Sequence, residues 1–292
     1  MPLGMEATSA LDTAVFAAQA ELQARNVLQP TALFLLGTGL GILPTRLPDG
    51  RRLPLEKVAS VPHPWRDKLL HHGTFNGLPV WMIEDAPGDP LEGDAPWFEA
   101  FPVWLAAAAG AATLVITSAG HALPRGEAAG LSTGSIALLS DHINLSGNSP
   151  LVALGESRLG PLFPDQSLVH DRLLRRMAQT MCARLGLSAR EAVAACTLGP
   201  ALDTPAERRW FSSAGADVAV QRLAAPLIAA AHAGLGVLGL VAVTNAGDGP
   251  VDIGRIAATS SAVAPALDDL LWSLAEEVQR SAPSELERDE AT

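Results

Sequence analysis

Short apolar runs alternate with amphipathic segments along most of the chain, and this alternation is what most constrains its fold. The strands predicted from the apolar runs cover residues 31–36, 79–84, 113–117, 135–139, 191–198, 217–221 and 236–244. The helices predicted from the helical periodicity cover residues 9–26, 97–109, 167–185, 205–214, 223–233 and 260–280. Strands that alternate with helices indicate an α/β fold, in which helices flank a mixed, largely parallel β-sheet.

The organisation of the chain predicts one domain. There is no linker and no internal repeat, so we expect a single domain over residues 1–280, followed by a frayed C-terminal tail over 281–292. Prolines and charges interrupt every pattern from Pro44 to Pro79 and again from Pro87 to Pro102. These two segments are predicted to leave the sheet as long excursions, which is where pockets are usually built.

Composition excludes several classes of protein. With 48% apolar and 17% charged residues, the chain is not predominantly disordered. No apolar run reaches the roughly 18 residues of a membrane-spanning helix, and the first positive side chain is Arg25, so we expect a cytoplasmic protein with no membrane partner. The net charge of −11 disfavours binding to nucleic acid. Cys182 and Cys196 are predicted to be reduced core residues.

A glycine-rich turn follows the first predicted strand and reads Gly37-Thr38-Gly39-Leu40-Gly41. Glycines allow a sharp turn that presents backbone N–H groups, and the Thr38 hydroxyl adds a donor, so the turn suits a phosphate. The spacing is not that of a dinucleotide-binding fingerprint, and a purely structural turn is an equally good interpretation.

Two histidine-containing motifs carry alternative interpretations. Asp141-His142 lies at a predicted strand end, where α/β folds bind ligands, but it could also be a turn that caps the strand. His71-His72 is favoured as part of a solvent-facing loop, because adjacent histidines point apart and no carboxylate has helpful spacing. We assign no metal ligands from the sequence.

Two polar residues near predicted element ends are candidate ligand contacts. Asp203 precedes Thr204, the predicted N-cap of a helix, and is either a site carboxylate or an acid favoured by the helix dipole. Asn245 closes the strand predicted at 236–244, and it either binds a ligand or makes a turn.

The order of these motifs is more informative than any one of them. Along the chain occur, in sequence, Gly37-Thr38-Gly39-Leu40-Gly41, His71-x-Gly73, Glu92-Gly93, Val115-Ile116-Thr117-Ser118-Ala119, Asp141-His142-Ile143-Asn144, Gly199-Pro200-x-x-Asp203-Thr204-Pro205-Ala206-Glu207 and Thr244-Asn245. This series resembles the trimeric purine nucleoside phosphorylases, the family that also contains methylthioadenosine phosphorylase. The resemblance spans residues 9 to 275, and its most specific parts are 141–144 and 199–207.

The resemblance implies a reaction in which phosphate attacks the anomeric carbon of a purine nucleoside, giving free base and pentose 1-phosphate. It implies catalytic roles for Asn245, at purine N7, and for Asp203, at the pyrimidine edge of a 6-oxopurine. It places Thr38, His71 and the Ala119 backbone near phosphate. Inorganic phosphate is then the co-substrate, and no other cofactor is expected.

Some positions depart from the family pattern. Pro87 stands where the family has a phosphate-binding arginine, and Asp89 stands where it has a histidine. In the substrate-binding positions Leu202 and Gln221 replace the usual Phe and Met, and Arg222 replaces a serine. A carboxylate about 5 Å from phosphate costs roughly 3 kcal/mol at an effective dielectric near 20. These changes predict a purine half that is altered but usable and a phosphate half that is damaged or rebuilt.

Three functions remain open at this point. The first is phosphorolysis of a purine nucleoside, the second is a catalytically impaired homologue that only binds purine or nucleoside, and the third is hydrolysis by water in place of phosphate. A homotrimer is expected from the resemblance. The aromatic group Trp97, Phe98, Phe101 and Trp104 is interpreted with equal weight as part of a subunit interface or of the subunit's own core.

Overall fold

The computed structural model of the protein describes residues 9–37, 42–84, 87, 89 and 91–281. The strands of the described chain are β1 Ala32–Leu36, β2 Arg51–Pro54, β3 Leu69–Phe75, β4 Leu78–Glu84, β5 Thr113–Ala122, β6 Ile136–Asn144, β7 Ala189–Thr197, β8 Val218–Gln221 and β9 Gly236–Ala246. The α-helices are α1 Ala10–Ala24, α2 His63–Arg66, α3 Phe101–Ala108, α4 Pro124–Ala128, α5 Arg172–Arg184, α6 Pro205–Ser213, α7 Ala224–Ala233 and α8 Ile253–Ser281.

All nine strands join one mixed sheet with the order β2-β3-β4-β1-β5-β8-β7-β6-β9, and β5 also pairs with β9. The pairs of β1 with β4 and β5, of β5 with β9, and of β7 with β6 and β8 are parallel. The remaining pairs are antiparallel. The α/β fold with a mixed sheet flanked by helices is therefore confirmed.

Helices cover both faces of the sheet, and the side-chain alternation of the strands divides the core between them. In β1, Leu33 and Leu35 pack into one apolar cluster with residues of α1, α3 and α7. Phe34 and Leu36 point to the other face and pack with residues of α5 and α8. Because both faces are covered, all five residues of β1 are buried, as expected for a central strand with parallel neighbours.

The segment from Pro44 to Pro79 is not an excursion from the sheet, so that prediction is wrong. It contributes β2 and β3 and the start of β4, which form an antiparallel edge. His71 and His72 lie in β3, where His72 is 7% exposed, and they are not in a solvent-facing loop. Leu70 and Phe75 are buried on opposite faces of this strand, one in each apolar cluster, and the charges and prolines around them obscure the strand pattern.

Other elements differ in their bounds. The strands β5 and β6 extend to Ala122 and Asn144, so Asp141-His142 lies inside a strand and is not a turn that caps it. The helix α5 begins only at Arg172, because Asp171 accepts hydrogen bonds from two first-turn amides and caps it. The helix α8 begins at residue 253 instead of 260. Residues 282–292 of the expected tail lie outside the described residues.

The aromatic group of the 97–104 segment belongs to the subunit's own core. Trp97, Phe101 and Trp104 are 7%, 1% and 0% exposed, and the Trp104 indole N–H donates to His232 Nδ1 at 3.0 Å. These side chains are thus not available as an interface.

Both cysteines are free and buried, as predicted. Burial raises the pKa of the Cys182 thiol to about 11 and that of Cys196 to about 12. Among the described helices, none combines the length and apolar character that a membrane crossing requires.

Candidate active site

A cavity of about 430 Å³ opens where β1, β5 and β9 end. These three strands run parallel, so their carboxyl ends meet at the same edge of the sheet, which is where α/β folds bind ligands. The volume lies in the usual range of small-molecule sites, roughly 300–1,000 Å³. Its polar lining residues are Thr117, Ser118, His121, Asp203, Arg208, Gln221, Arg222, Thr244 and Asn245.

Asn245 is held from two sides. Its Nδ2 group lies at hydrogen-bond distance from Nδ1 of His121, and its Oδ1 lies 2.9 Å from the hydroxyl of Thr244. The other ring nitrogen of His121, Nε2, lies 2.9 Å from the carbonyl of Gly247 and 3.1 Å from NH1 of Arg208. Because the Asn245 amide nitrogen can only donate, Nδ1 of His121 is its acceptor. One N–H and one lone pair of Asn245 remain for a ligand.

His121 and Asn245 meet at an irregularity in β9. Gly120 pairs with Val243 and His121 with Asn245, so Thr244 is an extra residue in β9, and such a bulge re-aims the side chains beside it. Burial, followed by the charge of Arg208, lowers the pKa of His121, so the ring is neutral at pH 7. A neutral ring leaves Nδ1 able to accept from the Asn245 amide.

Arg208, in the second turn of α6, places a buried cation beside His121. The side chain is only 3% exposed, and its NH1 group donates to the carbonyl of Gly247 at 2.8 Å. Its Nε has no hydrogen-bond partner among the described residues. Arg208 thus brings positive charge to the same end of the cavity as Asn245.

Asp203 lies in the lining close to the start of α6. The helix begins with the predicted capping box, in which Thr204 and Glu207 satisfy each other's backbone amides. Burial and the nearby Glu207 raise the pKa of Asp203, while a hydrogen bond from Thr197 and the charge of Arg208 oppose this shift. A half-buried carboxylate of this kind is suited to accept hydrogen bonds from the edge of a planar base.

The cavity lining also contains Gly37 and Ala119. The N–H of Gly37 donates to the Thr117 hydroxyl at 2.7 Å, and a Cβ atom at position 37 would lie 2.5 Å from the Thr117 carbonyl oxygen. Glycine is therefore required for the close approach of this turn to β5. Thr38, the predicted phosphate contact, lies outside the described residues.

Arg222 lies between the cavity and the 87–89 segment. Its NH2 group is 3.0 Å from a carboxylate oxygen of Asp89, and its NH1 group donates to the carbonyl of Pro87 at 3.2 Å. Its backbone is in the left-handed region, with φ 57°, which directs the side chain away from the course of β8. The neighbouring Gln221 donates to the carbonyl of Ala201 at 2.8 Å.

Most of the predicted site residues meet in this one cavity. Its lining includes Ala119, Leu202, Asp203, Gln221, Arg222 and Asn245. His71 is not in that lining. It lies in β3 with its Nε2 3.9 Å from a carboxylate oxygen of Glu84.

Sequence reasoning missed His121 and Arg208. His121 follows Ala119 by two residues, and Arg208 directly follows Glu207, so each lies just beyond a motif that was identified. A polar or charged residue directly after a strand-end or helix-start motif is the signal that points to them.

Comparisons with known proteins agree with this geometry. The model of the phosphorylase superfamily matches residues 18–276. Purine nucleoside phosphorylase 1 of Geobacillus stearothermophilus is 30% identical over 82% of this chain and 87% of its own, and the purine nucleoside phosphorylase of Bos taurus is 31% identical over 74% and 76%. The crystal structure of Schistosoma mansoni purine nucleoside phosphorylase in complex with adenosine has a TM-score of 0.82 and 25% identity, covering 95% of this chain and 100% of that one. The chain therefore belongs to the phosphorylase superfamily and, within it, to the purine nucleoside phosphorylase family.

Proposed function

We propose that the protein carries out phosphorolysis of a purine nucleoside, releasing the free base and pentose 1-phosphate. In this reaction an oxygen of phosphate forms a bond to the anomeric carbon, the bond from that carbon to the purine nitrogen breaks, and its electron pair stays on the departing base. The protein must orient the two reactants and stabilise the negative charge that develops on the base.

The proposal rests on one observation, which is that Asp203 and Asn245 both line the same cavity. Asn245 is oriented by His121 and Thr244, so its amide is preorganised to donate to or accept from a purine ring at N7. Asp203 supplies an acceptor for the N–H groups of the pyrimidine edge. Arg208 adds positive charge to the same end of the cavity, which favours a leaving group that becomes more negative.

The lining residues that we assign to phosphate, Gly37, Ala119 and Arg222, form the phosphate end, and we expect slow turnover from them. The Gly37 N–H is already bonded to the Thr117 hydroxyl, and Arg222 is already paired with Asp89 at 3.0 Å. Phosphate has to compete with that carboxylate for the guanidinium. This pairing also favours the second candidate function, a homologue that binds purine or nucleoside without phosphorolysis.

Incubation with inosine separates these functions. Release of hypoxanthine that requires phosphate supports the proposal, whereas release without phosphate indicates hydrolysis. Saturable binding of inosine without release of base supports the binding homologue. Asn245→Ala is the matched variant for each assay, because it removes the amide that contacts the base and leaves the phosphate end intact.

The choice of base tests the purine end separately. We expect hypoxanthine and guanine to raise the melting temperature more than adenine does, since a carboxylate at position 203 accepts from the N–H of a 6-oxopurine. Asp203→Ala should remove this difference because the base loses its partner. Equal shifts for all three bases would contradict the assignment of Asp203 to the base.

The assembly proposed from the family resemblance is a homotrimer. Its support is family membership alone, because Trp97, Phe101 and Trp104 are buried in the core of the subunit. Mass measurement by light scattering over a range of concentrations tests it, and a monomer at every concentration would contradict it.

A further inference from the structure

Three side chains that can bind a metal lie close together, and none of them lines the cavity. They are Asp141 and His142 in β6, and His170 directly before the N-cap of α5. One carboxylate oxygen and one ring nitrogen from each histidine all lie within 4.8 Å of one another. Carboxylate and imidazole are the ligands that zinc and related divalent metals prefer.

The backbone of His170 is fixed before any metal binds. Val169 and Asp171 both make backbone hydrogen bonds of 2.9 Å to Val237 in β9, which forms a bridge with His170. Asp171 in turn caps α5 with its side chain. A ligand held by rigid neighbours loses little conformational entropy when it binds a metal.

The two histidines are already at the separation that a metal requires. Nδ1 of His142 is 3.1 Å from Nε2 of His170, and the rings are inclined at 63°. Ligand bonds of about 2.1 Å place neighbouring nitrogens about 3.0 Å apart in octahedral geometry and about 3.4 Å apart in tetrahedral geometry. The observed distance lies between these values.

The surroundings allow an ion to enter. His170 is 5% exposed and His142 is half-buried, whereas Asp141 is exposed and leaves one side of the cluster open to solvent. Asp141 also accepts a hydrogen bond from the backbone N–H of His142 at 2.8 Å, which fixes the position of the carboxylate. Arg175 donates to the His170 carbonyl and is paired with Glu191 at 3.1 Å, so its positive charge is largely offset.

From these contacts we infer that Asp141, His142 and His170 form a site for a divalent transition metal such as Zn²⁺, with solvent completing the coordination. The affinity is moderate, because Nδ1 of His170 is buried and has no hydrogen-bond partner among the described residues. Loss of such a partner on a ligating histidine typically lowers metal affinity by about 10–100-fold.

The role of this metal is structural. It joins β6 to the residues that precede α5, which are otherwise linked through β9. His142 lies opposite Ala194 in β7, and Ala194 lies opposite Val218 in β8, next to the lining residue Ala219. The metal site is therefore outside the cavity lining and two strands away from it, and zinc should raise the melting temperature.

Isothermal titration of the metal-free protein with ZnCl₂ tests the site. We expect one ion per chain, and at least about tenfold weaker binding in His170→Phe and in Asp141→Asn. Because Asp141 is exposed, Asp141→Asn still tests the site if the buried His170→Phe substitution causes a folding defect. His63→Asn is the matched control, since it removes another histidine that contacts an aspartate, Asp94 at 3.4 Å, and should leave binding unchanged.

A second readout identifies the ligating atoms. In ¹⁵N NMR spectra of the imidazole rings, zinc should shift Nδ1 of His142 and Nε2 of His170 and leave His63 and His71 unchanged. Two results would overturn the inference. One is the absence of saturable binding up to about 100 μM zinc. The other is unchanged zinc binding in both His170→Phe and Asp141→Asn.

Discussion

The guanidinium of Arg222 lies 3.0 Å from the carboxylate of Asp89, although the two residues are 133 positions apart in the chain. Both residues replace others in the family pattern, and the structure makes them partners. Asp89 is therefore not an isolated negative charge at the phosphate end. The Asp89 side chain is 93% exposed, whereas the Arg222 side chain is only 23% exposed, so the ion pair lies at the rim of the cavity.

Removing the partner of Arg222 should improve phosphate binding. In Asp89→Asn the guanidinium is free to meet phosphate, and we expect the phosphate KM to fall by up to about fivefold, the worth of an exposed ion pair. Kinetics with inosine at varied phosphate measure this. Glu92→Gln removes an exposed carboxylate from the same segment and should leave KM unchanged. An equal fall in both variants would indicate a general charge effect instead.

The turn at Gly37 should not tolerate a side chain. Gly37→Ala places a Cβ 2.5 Å from the Thr117 carbonyl oxygen, and the backbone must shift, at a cost of about 1–3 kcal/mol in the free energy of unfolding. The same shift moves Gly37, which lines the cavity, and should raise the phosphate KM. Urea denaturation and kinetics check the two effects. Gly249→Ala, where no atom lies within 4 Å of the new Cβ, should change neither.

Asp203 should make the protein less stable as pH rises. Burial raises the pKa of Asp203 above the unfolded value of 3.8, so the folded state binds the proton more tightly. The free energy of unfolding therefore falls as the pH rises from 3.8 through the folded pKa. Asp203→Asn carries no charge and should be more stable than the parent at pH 7, with the difference vanishing below pH 3.8. Asp165→Asn is the control. Hydrogen bonds from Ser167 lower the pKa of Asp165, so this substitution should not increase the free energy of unfolding at pH 7. Thermal melts at several pH values measure both.

Arg208 should control the protonation of His121. Its charge is the second cause, after burial, of the lowered pKa of His121, so Arg208→Met should raise that pKa. A protonated His121 would no longer accept from the amide of Asn245, and base binding should weaken at mildly acid pH. NMR titration of His121 measures the shift. Arg209→Met, on the exposed side of α6, should have a much smaller effect, and an unchanged pKa in Arg208→Met would contradict the assignment.

The central part of the fold was predictable from sequence because its periodicity is undisturbed. Leu33 and Leu35 face one layer of helices while Phe34 faces the other, so the apolar run of β1 is continuous. The edge strands β2 and β3 were not predicted. In β2 two arginines and a proline obscure the apolar pattern, and its residues are only partly buried or exposed.

The candidate site was predictable where a residue lies within an ordered motif, as Asp203 and Asn245 do. It was not predictable where a contact joins distant segments. His121 reaches Asn245 only because β5 and β9 pair in parallel and shift register at that point. The partnership of Arg222 with Asp89 depends on a left-handed backbone at Arg222, which no residue preference predicts for arginine.

The two buried cysteines have a practical consequence for measuring motion at the cavity rim. Cys182 and Cys196 are both 0% exposed, and their raised pKa values leave almost no thiolate at neutral pH. Maleimide dyes should therefore spare the parent protein, and no cysteine-free background is needed. A fluorophore attached through Glu92→Cys would then report, from a single labelled site, how the segment beside Asp89 responds when phosphate or nucleoside is added.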